Sequence, residues 1–232
     1  MLLGEENRMN KGELTRQRIV ATAAPLFNQR GFAGCSMQDV MEATGLEKGG
    51  IYRHFASKEE LAAEVFEYCL AQAVKLRSDG VENIAGATDK LRYLISKFVD
   101  EPSPLPGGCP LLNTAVDADD GNPVLRKQVR QAFQDWRKRL TGILEQGIAA
   151  GEIDHEVSAR QMANTIIGTL EGALMLSRIE KSREPLRDAQ RSLETLLNTL
   201  RAQPTRYQKT GDSPSSQRMR LPATRRPGRK AL

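Results

Sequence analysis

Between Pro123 and Ala150 the apolar side chains fall at Leu125, Val129, Ala132, Phe133, Trp136, Leu140, Ile143, Leu144 and Ile148. Steps of three and four over that length match the helical period and no strand period. A helix with one apolar stripe is stable only when the stripe is covered, so this segment needs partner elements. The remaining chain supplies more helices: aromatics are sparse, Leu and Ala abundant and β-branched runs few.

The same spacing predicts helices over Thr15–Gln29, from Ser36 to Thr44, over Glu47–Phe55 and from Ser57 to about Ser78. Further helices are expected over Ala87–Val99, Leu111–Ala118, Ser158–Ile179 and Pro185–Leu200. Pro25 is expected to kink the first and Gly31 to cap it. Ser36-Met-Gln-Asp39 and Ser57-Lys-Glu-Glu60 read as capping boxes. Gly45 marks a left-handed turn, and Pro123 suits the first position of the long helix. The segment Glu101–Pro110, with its prolines and glycines, is a loop. The fold class expected is all-α, about nine helices and no sheet.

Charge is unevenly placed. From Gln203 to Leu232 there are eight lysines and arginines against Asp212 alone, whereas the whole chain carries only +5. The high isoelectric point therefore belongs to the tail, which reads as a disordered basic segment, and is weak evidence for nucleic acid. Cys35, Cys69 and Cys109 have neither zinc-like nor disulfide-like spacing, which fits a reducing compartment. No signal peptide and no long apolar run appear, so a cytoplasmic location is expected. The expected divisions are a flexible start (1–12), a small helical unit (13–60), a larger helical unit (61–202) and the tail (203–232).

The most informative stretch is Ser36 to Phe55, a short helix, a tight turn at Gly45 and a second short helix. Such a pair docked on a third helix is a helix-turn-helix unit. Val40, Leu46 and Ile51 can close a small core beneath the turn. Lys48, Gly49, Gly50, Tyr52, Arg53 and His54 then project outward. Lys48 near a helix N-terminus opposes the dipole, a cost of up to about 1 kcal/mol that an anionic partner offsets. Two adjacent helical glycines cost roughly 0.5–1 kcal/mol each relative to Ala, tolerable where another surface must approach closely. Tyr52, Arg53 and His54 suit phosphates, and Arg53 also guanine. Lys58 stands where free backbone N–H groups could hold a phosphate. The competing reading is a helical hairpin with a solvated polar face.

The run Asp39-Val40, Thr44-Gly45-Leu46-Glu47-Lys48-Gly49-Gly50-Ile51-Tyr52-Arg53-His54-Phe55 and Ser57-Lys58-Glu59-Glu60-Leu61 resembles the N-terminal domain of the TetR family of transcriptional regulators. The likeness extends from about Thr15 to Phe66, with Met41 standing where Ala is commoner. It implies a DNA-binding repressor that works as a two-fold dimer on a palindromic operator, its recognition helices roughly 34–36 Å apart. Lys48, Gly49 and Gly50 would face bases, and Tyr52, His54 and Lys58 phosphates. Ser36 would add a contact, Arg53 could do either, and Phe55 would be core. The remaining helices would form an effector-binding and dimerisation unit.

For that unit the sequence is less telling. Helices 158–179 and 185–200 are the expected dimer pair, with Gly168 and Gly172 allowing close contact between helices. Phe98, Leu112, Phe133, Trp136 and Met162 are candidate pocket linings, although plain core is the commoner role for each, and Cys109 is a further pocket candidate. Asn113 and Arg137 are candidate polar contacts. Cys109, in a Gly/Pro loop before a helix, is either an electrophile sensor with a lowered pKa or a buried inert thiol. Asp117, Asp119 and Asp120 read as capping and solvated acids rather than a metal site. No cofactor and no catalytic constellation is expected. Two rival classes are a helical adaptor with a decayed helix-turn-helix and a small helical enzyme. Retention of Lys48, Tyr52 and Lys58 argues against the first, and the lack of an acid–base pair against the second.

Overall fold

The computed structural model describes residues 10–118 and 121–201. Asp119, Asp120 and the basic segment from Gln203 onward lie outside the described residues. The helices are α1 (Lys11–Gly34), α2 (Met37–Thr44), α3 (Lys48–Tyr52), α4 (Lys58–Ser78) and α5 (Ala87–Asp100). They continue as α6 (Pro110–Ala118), α7 (Pro123–Ala149), α8 (Ala159–Glu180) and α9 (Glu184–Thr199), with one short 3-10 turn at Val81–Asn83. Among the described residues the sole β pairing is an isolated bridge between Ile153 and Arg201.

Helix α1 begins earlier than expected because Asn10 caps it, its side chain accepting from the Glu13 N–H at 2.8 Å. Pro25 lies inside the helix without a break; the non-helical residue is Gly31, at φ 75°. There the chain turns against α6, where the Asp117 carboxylate accepts from the Phe32 N–H. A Cβ on Gly31 would stand 3.2 Å from that carboxylate. Asp117 is thus a capping acid for the broken end of α1.

At α4 the Ser57 hydroxyl accepts from the Glu60 N–H, as a capping box requires. The Glu60 carboxylate reaches one residue further back than expected, to the Ala56 N–H at 2.7 Å. Asn122 caps α7 through the Val124 and Leu125 N–H groups, and Pro123 occupies the first turn.

Two cores result. The first joins α1, α2, α3 and α4 with α6 and the start of α7 through Ile19, Val40, Ile51, Phe55, Leu61 and Leu125. The second joins α5, α7, α8 and α9 through Leu91, Ile95, Leu140, Leu144, Ile166 and Leu193. Phe133, Trp136 and Leu174 pack against both. The long helix α7 therefore carries one apolar stripe past two successive sets of partners. Gly147 is the glycine its packing requires, since a Cβ there would meet Ala87 Cβ at 2.6 Å. Gly168 and Gly172 on α8 face open space.

Candidate DNA-binding face and effector cavity

The first site is built on α2 and α3. Ser36 and Asp39 exchange bonds at the start of α2: the Ser36 N–H donates to Asp39 Oδ2 at 2.7 Å and the Asp39 N–H to Ser36 Oγ at 3.1 Å. The Ser36 hydroxyl also donates to that carboxylate at 2.5 Å. With Arg30 at 2.6 Å, these bonds hold the Asp39 carboxyl down to about 2, the Ser36 side chain contributing most. The helix ends on Gly45 at φ 67°, whose N–H returns to Met41 O at 2.9 Å.

Helix α3 is shorter than the expected Glu47–Phe55. Past Tyr52 both the His54 and Phe55 N–H groups converge on Ile51 O, at 2.9 and 3.1 Å, so the chain leaves as a turn. Val40, Ile51 and Phe55 are fully buried beneath it. Lys48, Gly49, Tyr52 and Arg53 are exposed, and Gly50, His54 and Lys58 half-buried. Lys48 Nζ lies 5.7 Å from the Tyr52 ring, and Lys58 Nζ 4.2 Å from the Phe32 ring. Ser36 is exposed, though its hydroxyl is engaged by Asp39.

The residue that sequence reasoning missed here is Arg16. From α1 its guanidinium donates to the His54 carbonyl, to Glu60 at 2.7 Å and, through Nε, to Glu64 at 3.0 Å. It also stacks on Phe55 at 4.2 Å. Hydrogen bonds to Glu64 and then Glu60 raise its pKa. One side chain thereby ties α1 to the exit of α3 and the start of α4. Its spacing to partners nearly fifty positions away leaves no local signature.

The second site is a cavity of about 360 Å³ bounded by α4, α5, α7, α8 and the start of α6. Of the candidate linings, Phe98, Cys109 and Trp136 do line it. Leu112, Phe133 and Met162 pack into the cores without lining it. Asn113 faces elsewhere, donating to Asn28 O at 2.9 Å and Gly107 O at 2.8 Å, and Arg137 lies outside the walls. Phe98 and Trp136 stack with centroids 5.9 Å apart. The walls also include Arg77, Ser78, Asp135 and Arg139, which the apolar periodicity did not single out.

Cys109 does not have the lowered pKa its loop position suggested. It is 3% exposed, and its thiol donates to Glu171 Oε1 at 3.0 Å. Burial, and then the Glu171 charge, push it up to about 12. Glu171 is itself buried, and desolvation raises its carboxyl above the usual range. Among the described residues no helix is long and apolar enough to cross a membrane.

Comparison with known proteins finds matches to both halves of the chain. Residues 19–65 match the family model of bacterial regulatory proteins of the tetR family. Residues 87–193 match the tetracyclin repressor-like C-terminal domain. A TetR transcriptional regulator of Chloroflexus aurantiacus superposes with a TM-score of 0.80 at 44% identity, over 84% of this chain and 100% of that one. The transcriptional repressor DhaR of Mycobacterium sp. (strain GP1) is 28% identical over 74% of this chain and 86% of its own. The fatty acid metabolism regulator protein of Bacillus subtilis is 26% identical over 66% of this chain and 78% of its own. With a helix-turn-helix on α2 and α3, nine α-helices among the described residues and a solved relative matched over its full length, the chain belongs to the TetR family of DNA-binding transcriptional regulators and is not an enzyme.

Proposed function

We propose that the protein is a cytoplasmic repressor that holds a palindromic operator as a homodimer and is released when a small molecule occupies the cavity. One observation carries this reading: α4 runs from Lys58, beside the recognition helix, to Arg77 and Ser78 in the cavity wall. A ligand that favours one setting of α4 and an operator that favours another weaken each other by the same factor. DhaR, a relative over most of its length, is named a transcriptional repressor.

On this reading Lys48, Gly49 and Gly50 face the bases. Tyr52, His54, Lys58 and Ser36 hold phosphates, and Arg53 serves either. The dimer forms through α8 and α9. Gly168, Gly172, Met175 and Ile179 share one face of α8, where both glycines are open and Ile179 is 80% exposed. A bare apolar stripe beside small residues suits a helix from a second copy. Release by an electrophile at Cys109 is disfavoured by that thiol's burial and raised pKa.

The test is fluorescence anisotropy on DNA from upstream of the protein's own gene, at fixed salt, against scrambled DNA and the Tyr52→Ala variant. Sequence-selective binding lost in the variant supports the reading. Equal binding to both DNAs, unaffected by Tyr52→Ala, counts against it.

A further inference from the structure

The cavity wall is apolar over most of its surface. Leu91, Ile95, Leu140, Ile166 and Leu170 are each no more than 2% exposed. Arg77 interrupts this wall near the end of α4. Its guanidinium lies 4.0 Å from the Phe98 ring centroid, on an aromatic pair completed by Trp136. Its Nε is buried without a hydrogen-bond partner, and among the described residues no carboxylate is within ion-pair distance of it. A buried donor of a charged group left unsatisfied is a standing cost, removed by any acceptor that reaches it.

The other charged groups around the cavity do not meet this need. Arg139 pairs with Glu82 at 3.6 Å. Asp135 is exposed and accepts from Gln131 at 3.0 Å. Glu171, behind Cys109, takes the thiol on one oxygen and leaves the other bare; burial raises its carboxyl although the Arg77 charge pulls the other way, and it makes no ion pair with Arg77. Among the described residues Arg77 is therefore the cation of the wall that forms no ion pair, its electrostatic partner being the largely desolvated Glu171. It also covers the Phe98 face that a cationic ligand would otherwise use.

We infer that the cavity takes an amphipathic monoanion, with a carboxylate-class head on Arg77 and an apolar body along Leu91, Ile95, Leu140 and Ile166. This rests on the reading of the cavity as the effector site. A guanidinium can grip a carboxylate with two parallel bonds, and its neighbouring apolar walls strengthen that contact. The volume of about 360 Å³ lies at the small end of small-molecule sites and has room for a medium-chain alkyl carboxylate.

The probe is octanoate, compared with octanol and octyltrimethylammonium, on the full chain. Trp136 is the chain's single tryptophan and lines the cavity, so its emission reports occupancy without DNA. Octanoate is expected to shift that emission saturably and to bind about tenfold or more tightly than octanol, with the ammonium weakest. Arg77→Met is expected to remove that preference by weakening octanoate about tenfold or more, and saturable octanol binding by the variant shows that it keeps its cavity. Octanol binding as tightly as octanoate to the unmodified protein would overturn the anion assignment and leave the effector cavity standing. No emission change with any of the three would overturn the cavity reading, and the anion with it.

Discussion

The recognition face and the cavity place charge in opposite ways. Around α3 the charged groups point outward from a core that is full: Val40, Ile51 and Phe55 are completely buried. Around the cavity a charged group points inward, at a void with apolar walls. On the proposed reading the first arrangement is a rigid part offered to a large anionic surface. The second is an unfilled core whose defect is chemically specific. One helix, α4, belongs to both, so a change in how the void is filled bears on the element that supports α3.

This contrast predicts unequal responses to truncation. Phe55 is enclosed on all sides, with Arg16 stacked on its ring, so Phe55→Ala should cost about 3–5 kcal/mol. Leu91 is equally buried but faces the void on one side and has fewer contacts to lose. Leu91→Ala should cost nearer ~2 kcal/mol. Urea unfolding of the two variants measures both. Equal losses would mean that the void closes in solution and that the two regions are packed alike.

A smaller, pH-dependent effect separates the regions by sign. Asp39 at the recognition face is held low, so its contribution is present above the usual carboxylate range and lost as pH falls toward about 2. Glu171 beside the cavity is shifted the other way. Its protonated form is favoured in the fold, so its contribution is complete below the unfolded value and lost as pH rises through the folded one. Glu171→Gln keeps an acceptor for Cys109 and cannot ionise. Its stability should match the unmodified protein near about pH 4 and exceed it near about pH 8. Denaturation at the two pH values decides; a constant difference would mean that Glu171 ionises freely in the fold.

The same contrast explains what was legible in the sequence. Ser36, Gly45 and the run Lys48–Lys58 lie within one contiguous stretch, where caps, a turn and a short apolar pattern are local signals. They placed α2 and the turn, and did not foresee how soon α3 gives way to a turn or that Gly50 and His54 are half-buried. The cavity draws on five helices, so its lining depends on how they meet. Phe98 and Trp136 were visible as large residues on apolar stripes. Arg77 and Arg139 were not, since a cation near the end of an amphipathic helix reads as solvated. Arg16 was missed for the same reason, its partners lying on α4 and at the exit of α3. Phe133 and Met162 met the same criteria as Phe98 yet serve as packing. Periodicity reports which side of a helix is covered, and cannot say by protein or by ligand.

The smallest effect expected on stability bears most directly on the recognition face. Gly49 is an exposed residue inside α3, and a Cβ there would meet nothing within 4 Å. Nothing in the protein therefore requires glycine at this position. Gly49→Ala should stabilise the fold by roughly 0.5–1 kcal/mol, because the backbone entropy lost on folding is smaller. At Gly50 a Cβ would touch Leu46 at an ordinary 3.5 Å, so Gly50→Ala is also compatible with the fold. On the proposed reading, glycine serves a surface outside the protein that approaches α3 more closely than a methyl allows. If that surface is the floor of a DNA groove, Gly49→Ala gains in thermal melting and loses in operator affinity measured by anisotropy. A variant that gains stability and binds as before would show that DNA does not come that close. The recognition contacts would then fall to Lys48, Tyr52 and Arg53, the exposed side chains that can reach across a wider gap.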